Sequence, residues 1–217
     1  MSRKRKKGWL IMKISGLVLA ALLVFIFLPR TVAKPIKKQI ETTYGVEDVA
    51  FRESVGHLVN APLLPGNKIT TLINGDQIFP AMFESIRGAK KTITMENFIF
   101  RTGKLSAQLV PLLVEKAQSG VKVHLIMDSM GCSKLEQPEL ERLEKAGVKF
   151  VKYNRTEWHK LLRVNHRDHR KLVVVDGTVG FTGGACLADE WMGNAETKKQ
   201  WRDTHFRVDG PAVAQLQ

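Results

Sequence analysis

His169 and Lys171 stand two residues apart at the head of the run Leu172-Val173-Val174-Val175, and Asp176 closes the segment. An imidazole can act as nucleophile or proton carrier, and beside a fixed ammonium it suits chemistry on a phosphate ester. On a strand, positions two apart face the same side. His169 and Lys171 can therefore meet one phosphate, with Lys171 stabilising charge on its oxygens. Asp176 is further off, about 23 Å from His169 along an extended chain at ~3.3 Å per residue. It cannot orient its own histidine unless the strand bends sharply. It either orients another group or stabilises a turn with Gly177. This H-x-K-x4-D pattern occurs once in the 217 residues.

The neighbouring residues extend the candidate site. From Arg155 to Lys171 there are six basic residues, two acids and three histidines. This is a solvated charge run or an anion site, and its entry into the β-branched run favours the anion site. Asn165 and His166 are its candidate substrate-binding residues. Gly183-Gly184 lets a backbone approach a phosphate closely, or makes a tight turn. Glu96 either points into the site or is satisfied by a nearby arginine. Trp158, Trp191 and Trp201 line a lipid-access face or, the favoured reading, pack in the core or an interface. Cys132 and Cys186 are far apart and lack metal spacing, so they read as free thiols, and no metal or other cofactor is expected.

These groups need a scaffold, and the pattern around them is regular. Residues 68–73, 92–100, 121–127 and 148–153 read as strands; residues 105–118 and 135–146 read as helices closed by Gly120 and Gly147. Phe79, Met82, Phe83 and Ile86 fall at helical spacing after the turn Asn74-Gly75-Asp76. The run after Leu172, the Asp176-Gly177 turn and residues 179–182 form a hairpin. Residues 201–208 are a further strand, and Gly210-Pro211 opens a helix that has barely begun at Gln217, the pattern of a fragment. The expected fold class is an α/β sheet flanked by helices, preceded by one transmembrane helix.

That helix is read from the N-terminus. Arg3 to Lys7 form a basic cluster, and Trp9 to Leu28 are apolar apart from Lys13 and a few small residues. About 20 such residues span a bilayer. An uncleaved anchor is favoured over a signal peptide, since the site near Ala33 is poor. The domains read as 1–30 (basic terminus and anchor), 31–66 (linker and lead-in) and 67–217 (catalytic domain). Location in the cell membrane follows; the side is open, because Arg30, Lys34, Lys37 and Lys38 balance the N-terminal charge. The net charge of +13 suggests nucleic acid only until it is located. Ten of the 34 basic residues precede position 39, leaving 24 basic against 21 acidic and a balance of +3. A nucleic-acid partner is therefore not expected.

With His169-x-Lys171-x4-Asp176 and Gly183 in place, the sequence resembles the phospholipase D superfamily and, within it, bacterial cardiolipin synthase-like enzymes. The resemblance covers residues 68–217. It includes Asn74-Gly75-Asp76, residues 94–100, Gly120-Val121-Lys122-Val123, Asn165-His166-Arg167, Ala188-Asp189-Glu190-Trp191 and Trp201-Arg202-Asp203-Thr204-His205-Phe206. It implies transphosphatidylation of a phospholipid such as phosphatidylglycerol, with His169 the nucleophile forming a phosphohistidine and Lys171 the phosphate ligand. Asp176 then orients a histidine of a second motif, and no metal is used. The family often carries Ser or Thr and then Asn where this chain has Gly184 and Cys186. The second H-x-K-x4-D is absent, so it is expected from a missing C-terminal half or from a second copy. Two alternatives stand beside the transferase: a homodimeric phosphodiesterase or nuclease of the same superfamily, and a non-catalytic membrane-anchored module that binds anionic headgroups.

Overall fold

The computed structural model describes residues 3–27, 44–154 and 166–217. These fall into two units, Met1–Gly45 and Val46–Gln217. The first unit contains helix α1, Arg3–Phe27. Its described side chains, Trp9 and those from Met12 to Phe25, are exposed. Among the described residues no helix is long and apolar enough to cross a membrane. The span expected from Trp9 to Leu28, part of which lies outside the described residues, is thus not confirmed among them.

The second unit starts inside the expected lead-in, where Val49–Leu58 forms α2, capped by the Asp48 carboxylate on the Ala50 N–H. The elements that follow are β1 (Lys68–Ile73), α3 (Asn74–Gly88), β2 (Thr92–Asn97), α4 (Lys104–Gln118), β3 (Lys122–Asp128), α5 (Gln137–Lys145) and β4 (Lys149–Tyr153). Then come β5 (Leu172–Val175), β6 (Val179–Gly183), β7 (Thr204–Asp209) and α6 (Val213–Leu216). Among the described residues the strands form one seven-stranded sheet in the order β1-β7-β6-β5-β2-β3-β4. β2, β3 and β4 are parallel, joined through α4 and α5; the remaining pairings are antiparallel.

Strand alternation divides the sheet into two faces. Ile93, Met95, Leu125, Val173, Val175 and Phe181 point into the main core, which α3, α4 and α5 close with Ile78, Met82, Leu109, Leu113 and Leu143. On the other face Leu172 and Val174 pack on Val213, with Leu216 and Val208 beside them. All four residues of β5 are buried, as suits a central strand covered on both sides. Away from α6 that second face is open: Ile69 and Val151 are 65% and 56% exposed, and Ile73, Ile126, Tyr153 and Phe206 are also exposed.

Several expected boundaries shift, among them the strand expected from residue 201, which starts at Thr204; two shifts have local reasons. β2 ends at Asn97 rather than Phe100, because the chain leaves the ladder and Phe100 makes an isolated bridge to Leu187. α5 starts at Gln137 rather than Leu135, with Pro138 in its first turn, where a missing N–H costs nothing.

Candidate active site

β5 runs antiparallel to β2, with Leu172 opposite Glu96. The segment that leads into β5 therefore lies at the C-terminal ends of parallel β2 and β3, where open α/β sheets place their ligand sites. His169 and Lys171 precede the strand rather than lying on it. They nonetheless share a side, because both meet Phe98, just past the end of β2. The imidazole and the Phe98 ring have centroids 4.8 Å apart, and Lys171 Nζ lies 5.3 Å from the same ring centre.

His169 is exposed, while Lys171 is buried. The Lys171 ammonium donates to the His169 carbonyl at 2.7 Å. Burial lowers its pKa, and Cys186, Asp168 and Asp203 oppose that shift. An ammonium has three donors. Among the described residues one is used, on the backbone of the very residue whose side chain it accompanies, which leaves two for an oxyanion. Burial also keeps the Cys186 thiol above its ordinary range despite Lys171. The arrangement can thus present an accessible imidazole beside a poorly hydrated positive charge, which suits attack on a phosphodiester.

Asp176 sits at the opposite end of β5. Asp176 and Gly177 take positive φ, +52° and +68°, in the β5–β6 turn, and the Thr178 N–H closes it on the Val175 carbonyl. The Asp176 carboxylate accepts the backbone N–H groups of Lys90, Lys91 and Thr92 at 2.8, 2.7 and 2.8 Å. Burial alone would raise its pKa, but these bonds bring it below the usual value. In this chain it fastens the hairpin to the start of β2 and does not join His169.

The other expected residues divide similarly. Glu96 pairs with Arg170 at 2.9 Å, the arginine-satisfied alternative. Burial and the neighbouring Asp168 raise the Glu96 carboxyl against the pull of Arg170. His166 is exposed, and its carbonyl accepts from the Asn154 amide at 2.6 Å. Asn165 and Trp158 lie outside the described residues. Gly183 and Gly184 leave room for protein: a Cβ on Gly183 would come within 2.6 Å of His205, and one on Gly184 would overlap the Asp203 carboxylate. Trp191 is buried and donates to Asp203 at 2.8 Å, with the Trp201 ring tilted against it at 4.6 Å between centroids.

Sequence reasoning left Phe98, Asp128, Asp203 and His205 without a chemical role. Asp203, which acts electrostatically on Lys171, is held by Trp191 and by Asn74, whose amide oxygen accepts the Asp203 N–H at 3.0 Å. His205 is buried on β7, and both its ring nitrogens lack a partner among the described residues. Burial lowers its pKa to about 4, although Asp203 pulls the other way. Asp189 caps α4 by accepting the N–H groups of Lys104 and Leu105, both at 2.9 Å. The position of Asp128 at the end of a parallel strand was the one available signal for it. Among the described residues no three His, Cys, Asp or Glu side chains gather as a metal site would require.

The mixed seven-stranded sheet thus carries a His-Lys pair at the ends of its parallel strands. Residues 82–205 match the family model described as "Cardiolipin synthase, PLD-like domain". The chain belongs to that family. It is 41% identical over 172 residues to cardiolipin synthase A of Pseudomonas syringae pv. syringae, covering 79% of this chain and 36% of the relative. It is 37% identical over 185 residues to cardiolipin synthase A of Pseudomonas fluorescens Pf-5, covering 85% and 39%. The chain therefore spans between a third and two fifths of the length of these relatives. The fold is similar to the phospholipase D family member Nuc from Salmonella typhimurium, with TM-score 0.53, 14% identity, and coverage of 70% of this chain and 89% of that one. It is also similar to NucT from Helicobacter pylori, with TM-score 0.55, 13% identity, and coverage of 70% and 91%.

Proposed function

We propose that this chain is the first half-site of a cardiolipin synthase-like phosphatidyltransferase. The observation that carries this reading is the placement of His169 and Lys171 on one aromatic ring at the sheet edge, with ammonium donors to spare. A ring nitrogen of His169 attacks the phosphorus of a phosphatidylglycerol-like lipid. The P–O bond to the headgroup alcohol breaks, and that alcohol leaves with a proton from the histidine of a second motif. The hydroxyl of an incoming alcohol then attacks the phosphohistidine, gives its proton to the same second histidine, and releases His169. Lys171 stabilises the oxyanion in both steps.

The second motif comes from a further segment of the protein. The open, partly apolar sheet face beside α6 supports this, as do the longer relatives. A second copy is the alternative supplier. It is favoured by one observation: this fold accounts for 89% and 91% of two solved chains of similar fold. The apolar run Trp9–Leu28, flanked by basic residues, is proposed to anchor the protein in the membrane and hold the site near its lipid.

The test uses the full-length protein in vesicles with phosphatidylglycerol carrying a labelled phosphatidyl group. Label is expected on His169 in the wild type and none in His169→Ala; label persisting in the variant refutes the nucleophile assignment. Deleting residues 3–27 is expected to move the protein from floated vesicles to the soluble fraction, and unchanged flotation refutes the anchor. Addition of a chain mutated only in its second motif should restore His169→Ala if copies share sites, and should not if each chain is complete.

A further inference from the structure

We infer that Asp128 is the positioning residue for His169: one buried carboxylate fixes both the peptide that carries the imidazole and the ring on which it rests. This rests on the proposed role of His169. Asp128 ends β3 and is fully buried. Its Oδ2 accepts the backbone N–H of Asp168, the residue before His169, at 3.1 Å. Its Oδ1 accepts the N–H groups of Met130 and Gly131 at 2.9 and 3.3 Å, and the Arg167 guanidinium reaches the same oxygen at 3.4 Å. A buried carboxylate is tolerated only where donors surround it, so these four constrain one another.

The second branch runs through Gly131. A Cβ there would overlap the Phe98 carbonyl oxygen, so the turn after β3 is pressed directly onto the Phe98 backbone. Phe98 in turn carries the His169 ring at 4.8 Å. One oxygen of Asp128 thus sets the platform, and the other sets the peptide that hangs over it. Asp128 touches neither substrate nor the reacting atoms. Its effect is on the placement of a ring, and a misplacement of about 1 Å at a reacting group can cost on the order of a hundredfold in rate.

The two branches can be cut separately in the full-length protein. Asp128→Asn puts an amide N–H against a donor and loosens the peptide branch. Gly131→Ala leaves the carboxylate intact and displaces Phe98. The readout independent of turnover is the rate of carbethoxylation of His169, followed by peptide mass spectrometry across pH. Both variants are expected to raise that rate severalfold as the ring leaves Phe98. In phosphatidylglycerol turnover, kcat is expected to fall about tenfold to a hundredfold, with KM changed by less than about threefold. Wild-type carbethoxylation of His169 in either folded variant overturns the proposal. Loss of folding in both overturns it too, since Asp128 would then be a determinant of the fold. A wild-type protein that turns over no phosphatidylglycerol refutes the transferase reading, while the carbethoxylation comparison still decides whether Asp128 places His169.

Discussion

At the head of β5 an ammonium is buried and, among the described residues, makes one hydrogen bond, to a carbonyl two residues back. At its foot a carboxylate, partly exposed, accepts three backbone N–H groups at no more than 2.8 Å. Both ends belong to one short motif, and the difference supports the proposed division of their roles. A polar group that serves the fold has its capacity filled by the fold. One that serves a ligand is desolvated and left short, so that the ligand completes it. Lys171 fits the second condition: burial lowers its pKa, and in the same poorly solvated setting an incoming phosphodiester anion is attracted more strongly than in water. Asp176 shows the first.

Replacing Lys171 with Met is the strongest challenge to this contrast. The thioether keeps the length of the stem and removes the buried charge. Transferase activity of the full-length protein should fall by about a hundredfold to a thousandfold, the loss expected for one oxyanion partner. Its denaturation midpoint should stay within about 1 kcal/mol of wild type, because a desolvated ammonium with one protein bond stabilises little. A large stability loss with activity per folded molecule retained would reverse the assignment of the two ends.

The two ends were equally legible in the sequence. His169 and Lys171 sit in one local word, and so does the Asp176-Gly177 hairpin, whose turn chemistry is set by adjacent residues. The β1 strand and the α4 helix were readable from periodicity. What completes the site is not local. Phe98 arrives from the end of β2, Asp128 from β3, and Asp203 and His205 from the β7 segment. The space above Gly183 and Gly184 suggested a phosphate only because the strand that fills it lies more than twenty residues further along. α2 was missed because Pro62, Pro65 and Gly66 marked its surroundings as linker, while its short helix declares itself mainly through the Asp48 cap.

Acid titration offers a finer comparison, because each end carries a group whose folded pKa lies below its ordinary value. His205 is the larger case. It is neutral when folded, with a pKa of about 4 against 6.5 for a free imidazole. As the pH falls below 6.5 the unfolded chain takes up the proton and the folded one does not, so stability drops until the pH passes about 4. At about 1.4 kcal/mol per unit, the limb amounts to about 3 kcal/mol. His205→Leu should flatten denaturation midpoints measured between those limits. A slope that survives the substitution would assign the limb to another group.

Asp176 contributes with the opposite pairing of charge and fold. Its ionised form is the one the folded state binds, so its stabilisation is complete above the ordinary value of 3.8 and is lost as pH falls through its lower folded pKa. Asp176→Ala should therefore cost about 2 kcal/mol at neutral pH, the scale for backbone donors deprived of a charged acceptor near the surface. The deficit relative to wild type should shrink as the pH falls below 3.8 and through the lower folded pKa, where the wild-type carboxylate itself takes up a proton. Activity should fall only in proportion to the folded fraction, since the β5 foot holds the hairpin to β2 rather than the substrate. Denaturation at two pH values, with turnover normalised to folded protein, reads both quantities. A rate deficit at wild-type stability would place Asp176 among the groups that orient a histidine across to a second motif, and the contrast between the two ends of β5 would collapse.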